Sequence, residues 1–183
     1  SEGYRDRLIP VDSGPVHSHG PAGEHSHGEL AFTTWLDMEL AQLQLQAVAV
    51  ALAEVLPDES VPDLAAREKE MIRLLADLDN DLAALGAALA GAPILYSHPV
   101  YQYLDRRYRL NGKAVHWEPG EMPDEDQWRE LESLLDEHPA RLMLWAGEPL
   151  PAVTARLGSL GVNVAGFSPL GNRPARGGFA SGM

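Results

Sequence analysis

The sequence predicts an α/β fold, a four-stranded, mostly parallel sheet covered by helices and preceded by one long linking helix. After Gly91, short apolar runs alternate with segments of helical period, strand and helix in turn, joined by connections too short for further elements. Before Gly91 the leucines keep helical spacing over nearly thirty residues. Parallel strands need helical crossovers between them, so this alternation implies helices on the sheet and a ligand site beyond the carboxyl ends of its strands. The organisation expected is residues 1–60 as a His-rich loop and a helix, 61–90 as the linking helix, and 91–183 as the α/β lobe.

Residues 1–31 are rich in Gly, Pro, Ser and His and read as loop, with a short strand over Arg7 to Val11. Thr33 or Thr34 is placed to cap a helix from Trp35 to Leu56, which Pro57 closes. Its segment LQLQAVAVALAEVL carries no charge before Glu54, which predicts burial on more than one side. Pro62 suits the first turn of the long helix, which runs to Leu89 and spans roughly 40 Å at 1.5 Å per residue. Leu64, Met71, Leu74, Leu75, Leu78, Leu82, Leu85 and Leu89 form its apolar stripe. There follow APILYS as a buried strand, SHPVYQYLDRRY as a short helix, KAVHW as a strand and DEDQWRELESLLDEH as an amphipathic helix. ARLMLWA, PLPAVTARLGSLG and VNVAGF complete the set as strand, helix and strand.

Composition narrows the function. A formal charge of −13, from 27 acids against 14 Lys and Arg, argues against a nucleic-acid partner, because phosphate neutralisation needs a basic patch. The same charge raises the local concentration of cations. Cysteine is missing, so disulfides, thiolate metal sites and cysteine nucleophiles are excluded while the compartment stays open. No run approaches 18 uninterrupted apolar residues, and the opening SEGYRDRLIPVDSG has neither the basic nor the apolar region of a targeting peptide. No nucleophile-elbow, zinc-protease, phosphate-loop or dinucleotide motif occurs.

Four of the seven histidines, His17, His19, His25 and His27, fall in the stretch HSHGPAGEHSHG. Imidazole half-titrates near pH 6.5 and ligates borderline metals, so this loop is a candidate trap for zinc, nickel or copper. Incidental binding by a solvated loop is the alternative. At the predicted strand ends stand His98, then Glu118 and Glu121, Glu148, and Ser168. His98, at a strand-to-helix junction, is placed for a metal ligand or general base. Glu148 reads as a helix cap before it reads as a ligand. His116 is expected to pack against Trp117 or into the helix-sheet interface, and His138 to be a solvated helix end.

The ordered segments AFTTWLDMELA, PDLAAREKEMIRLLADLDNDL, ILYSHPVYQYLDRRYRL, ARLMLWAGEP and VNVAGFSPLG resemble the zinc and manganese substrate-binding proteins of ABC importers, over about residues 4 to 172. In that family a His-rich loop often precedes HxWLDP, as HSHGPAGEHSHG here precedes TTWLDM. The resemblance implies two lobes joined by the long helix, with residues 1–60 the remnant of an incomplete N-terminal lobe. It also implies a non-enzymatic role, Zn2+ or Mn2+ as the metal, an ABC permease in the membrane as partner, and a periplasmic or lipid-anchored location. Of the family's four ligands, the His or Glu opening the first C-lobe helix falls on His98. Thr33 and Ser168 occupy the second and fourth ligand positions, and the early N-lobe histidine has no counterpart. A degenerate solute-binding module with a non-metal ligand or a protein-docking role is therefore the alternative, and a hydrolase using His98 with Glu148 or Glu118 a more distant one. With so little N-lobe, the helix from Trp35 to Leu56 has an apolar face that a second copy of the chain can cover.

Overall fold

The computed structural model describes residues 4–11, 17–18, 24–25 and 30–171, which fall into two compact units, 1–79 and 80–183. Among the described residues no helix is long and apolar enough to cross a membrane.

In the first unit, the strand expected over Arg7 to Val11 is instead a 3-10 turn at Arg5–Arg7 and a single antiparallel bridge between Pro10 and Leu30. Two short strands, β1 (His17–Ser18) and β2 (Glu24–His25), pair antiparallel with His17 opposite His25. His19 and His27 lie outside the described residues. The first helix, α1, spans Met38–Ala53. Neither threonine caps it: Thr34–Leu36 form a 3-10 turn, and Asp37 takes the N-cap, its Oδ1 accepting from the backbone N–H of Glu39 at 3.1 Å and of Leu40 at 3.2 Å. The turn withdraws Thr34 from the cap, and its hydroxyl accepts from Gln44 at 2.7 Å. Asp37, with a side chain 2% exposed, also meets Arg7, whose guanidinium lies 3.4 Å from Oδ2 and 3.0 Å from Glu39. Beyond its buried start at Met38, Leu40 and Ala41, α1 leaves Val48, Val50 and Leu52 exposed, Val50 by 64%. Past that start only Ala49 is buried, so the second half of α1 is covered on one side alone.

The long helix, α2, is continuous over Val61–Leu89, 29 residues and about 44 Å, and the boundary between the two units falls within it. It ends where Ala90 and Gly91 take left-handed backbone conformations, the second at no steric cost.

The second unit carries the sheet: β3 (Pro93–Tyr96), β4 (Asn111–Ala114), β5 (Leu142–Trp145) and β6 (Asn163–Gly166), all parallel in the order β4-β3-β5-β6. The crossovers are α3 (Gln102–Tyr108), α4 (Glu125–Glu137) and α5 (Pro151–Ser159). Side chains alternate along each strand. Leu95, Met143 and Trp145 face one layer, where Trp128 and Leu131 of α4 and Val153 and Leu157 of α5 close the main core with Trp117. Ile94 and Leu144 face the other, where they line an apolar cavity of about 120 Å³ with Leu82, Gly86, Leu104 and Tyr108. A capping box at Asp124 and Gln127 starts α4, and Pro151 occupies the first turn of α5. Arg156 of α5 pairs both guanidinium nitrogens with Glu125, at 2.7 and 3.0 Å, and lies 4.3 Å from the Trp128 ring centre.

One carboxylate ties α3 to two strands. Oδ1 of Asp105 accepts from the Tyr96 hydroxyl at 2.6 Å and from the Gly112 N–H at 3.0 Å. Gly112 has to be glycine, since an added Cβ would fall into the Tyr96 ring. Burial pushes the Asp105 carboxyl above its ordinary value of 3.8, against the lowering by its two donors. Asp105→Ala should destabilise the protein by about 1–3 kcal/mol in urea unfolding, whereas Asp105→Asn, which keeps an Oδ1 acceptor, should cost clearly less. Because the folded state holds this proton more tightly than the unfolded chain, stability should decline as pH rises from 3.8 through the raised folded value. Asp105→Asn should abolish that component.

Candidate functional site

The strand order reverses at β3, which sends its first crossover to β4 on one side and has β5 on the other. In open α/β sheets a crevice forms outside the carboxyl ends at such a reversal. His98 stands there, two residues past the end of β3. Its position is fixed by backbone geometry on both sides. Ser97 donates its N–H to the Leu144 carbonyl at 3.0 Å, and its buried hydroxyl accepts from the Ala146 N–H at 3.0 Å. The Val100 N–H then turns back to the His98 carbonyl at 2.8 Å. Pro99 is therefore part of a turn and does not open the helix; Tyr101 is the N-cap of α3.

Beside His98 lies Glu118, with Nδ1 of the imidazole 3.7 Å from Oε1 of the carboxylate and side chains 16% and 31% exposed. His116 approaches from the same stretch, its ring centre 6.4 Å from that of His98 and inclined at 72°. This corrects the expected packing of His116 into the interior. It is exposed, and β4 ends at Ala114 rather than running through KAVHW. The reason is a step in the ladder: the Val115 N–H donates to the Tyr96 carbonyl and the Trp117 N–H to the next carbonyl, Ser97, each at 2.9 Å. A regular parallel ladder uses every second carbonyl, so His116 is an extra residue, as in a bulge. Trp117 faces the core on the same side as Val115, 4.7 Å from Trp128 between ring centres, and His116 between them has its ring beside that of His98.

The remaining candidates divide differently. Glu148 is exposed, and Leu150 rather than Glu148 holds the N-cap position of α5. Ser168 is exposed, its hydroxyl accepting from the Leu170 N–H at 3.3 Å, and Glu121 is exposed. Thr33 is buried in the first unit. His138 is no solvated helix end: it is buried at the C-cap of α4, with Nε2 3.0 Å from the Ile94 carbonyl. Among the described residues no three His, Cys, Asp or Glu side chains are grouped closely enough to hold a metal ion.

Sequence comparison extends these observations. The family model "ZnuA: Zinc-uptake complex component A periplasmic" matches residues 4–171. No curated protein sequence matches the chain. Among solved structures, the Zn(II)-bound ZnuA-like domain of AdcA from Streptococcus pneumoniae is similar with a TM-score of 0.73 at 18% identity, over 84% of this chain and 60% of that one. The metal-dependent lipoprotein YcdH from Bacillus subtilis is similar with a TM-score of 0.69 at 18% identity, over 86% and 56%. A ZnuA structure gives 0.64 at 22% identity, over 78% and 55%. At such identities these likenesses concern the fold, and the chain spans little more than half the length of each.

His138 and His116 should behave oppositely when replaced. His138→Leu removes the partner of a buried carbonyl and should lower stability by about 1–3 kcal/mol. His116→Leu, on the surface, should stay within about 0.5 kcal/mol, both read from urea midpoints at constant slope.

Proposed function

The chain belongs to the ZnuA family of periplasmic zinc-uptake components, and on that premise we propose that it binds a divalent metal, zinc before manganese, as the extracytoplasmic solute-binding component of an ABC importer. Components of this family serve transport and are not catalytic, so the chain is not an enzyme. The observation that carries the metal reading is His98, the family's C-lobe ligand position, standing at the sheet's reversal point with a carboxylate 3.7 Å from its imidazole.

In this reading residues 1–60 are the remnant of an N-terminal lobe, residues 61–90 the link, and residues 91–183 the metal-presenting lobe. His17, His19, His25 and His27 concentrate the cation, helped by the net charge of −13, and His98 receives it in the crevice. The chain then delivers the metal to a membrane permease from a periplasmic or lipid-anchored position. The apolar residues Val48, Val50 and Leu52 favour self-association of the isolated chain through α1. The buried Thr33 and the exposed Ser168 favour a second reading, a solute-binding scaffold that has exchanged metal transport for a non-metal ligand or protein docking, because hydroxyls replace two of the family's ligands.

Calorimetry separates the two. The unmodified chain should bind Zn2+ near pH 7 and progressively less toward pH 5, since a protonated imidazole cannot ligate metal. Changing His17, His19, His25 and His27 together to Ser should lower the zinc stoichiometry. Unchanged stoichiometry and affinity would remove the loop from the mechanism, and failure of the unmodified chain to bind zinc would favour the docking scaffold.

A further inference from the structure

We propose that Asn111–Gly112, the opening of β4, is a latent deamidation site, and that the Asp105 carboxylate keeps it in check by holding the backbone nitrogen that would attack. The inference is independent of what the crevice binds. Of the four asparagines, Asn80, Asn111, Asn163 and Asn172, only Asn111 precedes a glycine, whose bare Cα leaves its nitrogen free to approach the preceding side chain. Asn111 is exposed on an edge strand, within reach of water. The labile pair cannot be relieved at its second residue, because a Cβ at Gly112 would collide with Tyr96.

The reaction consumes one water and releases one ammonia. The Gly112 nitrogen bonds to Cγ of Asn111, the Cγ–Nδ2 bond breaks, and Nδ2 leaves as ammonia with the proton that Gly112 gives up. Water then opens the cyclic imide, its hydroxyl going to one carbonyl carbon and its proton to the Gly112 nitrogen. Opening at Cγ gives aspartate, and opening at the main-chain carbonyl gives isoaspartate, with the backbone rerouted through Cβ and Cγ.

In the fold both reacting groups are engaged. The Gly112 N–H donates to Asp105 Oδ1 at 3.0 Å, an oxygen that the Tyr96 hydroxyl also holds at 2.6 Å, and Nδ2 of Asn111 donates to the Gly91 carbonyl at 2.9 Å. Pairing of Asn111 with Pro93 and of Gly112 with Ile94 keeps the backbone extended, whereas imide closure needs the Asn111 ψ turned out of that range. Attack therefore waits for local opening of β4, and slow chemistry on a rapidly opening strand tracks the population of the open form. Asn163 is a built-in comparison: it too is exposed, opens the other edge strand β6 and donates Nδ2 to a carbonyl, that of Arg141 at 3.4 Å, but it precedes the branched Val164. Deamidation would set a carboxylate oxygen against the Gly91 carbonyl in place of a donor, loosening the join between α2 and β3.

The test is peptide mass spectrometry of the full chain incubated at neutral pH. In guanidinium chloride Asn111 should convert to aspartate and isoaspartate at least tenfold faster than Asn163, and in native buffer at least tenfold more slowly than in denaturant. Folded Asp105→Ala should convert at Asn111 at least fivefold faster than Val153→Ala, a variant that lowers stability from α5, each read at the temperature where the two are equally stable. Asp105→Asn, a neutral acceptor, should fall between the unmodified chain and Asp105→Ala, and it decides the matter if Asp105→Ala does not fold. An Asn111 no faster than Asn163 in denaturant would overturn the site, and a folded chain as fast as the unfolded one would overturn its protection. Asp105→Ala no faster than Val153→Ala, or in its place Asp105→Asn no faster than the unmodified chain, would overturn the role of Asp105 and leave strand pairing as the guard.

Discussion

Double pairing of β3 is the constraint from which the second unit is built. With β4 paired along all of Pro93–Tyr96 on one edge and β5 paired at Leu95 and Tyr96 on the other, the strand is committed on both sides, and its side chains must alternate between the two covering layers. The hydrogen bonds of Ser97 extend that commitment one residue past the strand, so His98 is delivered to the crevice by the backbone rather than by its own contacts. Asp105 acts on the opposite layer in a comparable way, holding Tyr96 and the backbone of Gly112 with one oxygen and so fixing α3 against both strands. A side chain positioned by a central strand is placed more exactly than one carried on a loop.

Much of this was legible in the sequence, because period-2 and period-3.6 patterns are properties of neighbouring residues. APILYS, DEDQWRELESLLDEH and ARLMLWA contain their strands and helix within a residue or two at either end, and the long helix begins and ends where Pro62 and Gly91 indicate. What failed was set by distant partners. KAVHW alternates like a strand, with Val115 and Trp117 both on the core side, yet β4 ends at Ala114, because the Trp117 N–H bonds the Ser97 carbonyl, only one residue on from the Tyr96 carbonyl that Val115 uses. His138 looks like a polar helix end until the Ile94 carbonyl, 44 residues earlier in the chain, supplies its partner. The histidine most readily dismissed, His116, is the one whose ring lies beside that of His98.

The first unit repeats the lesson in electrostatic terms. Either threonine is an acceptable cap by residue type, but Asp37 satisfies two helix N–H groups and faces a guanidinium as well, a combination a neutral hydroxyl cannot match. Arg7 is thirty residues away and invisible to any local pattern. Its pairing with Asp37 and Glu39 anchors the opening segment to the start of α1, where Met38, Leu40 and Ala41 are buried. The second half has apolar residues without a cover among the described side chains of this unit, which is where the uncharged run of the sequence promised burial and the structure withholds it.

The tryptophans partition the molecule optically. Trp35 belongs to the first unit, while Trp117, Trp128 and Trp145 share the core of the second, with ring centres of Trp117 4.7 and 6.2 Å from the other two. At those separations the indole transitions couple, so near-ultraviolet circular dichroism is dominated by one cluster and reports whether that core is packed, not how much helix remains. Trp117 sits in the chain between His116 and Glu118. A change at the crevice is thereby wired, through a single backbone step, to the brightest chromophores the protein owns, and the chain needs no added label for events at that edge of the sheet to be followed in solution.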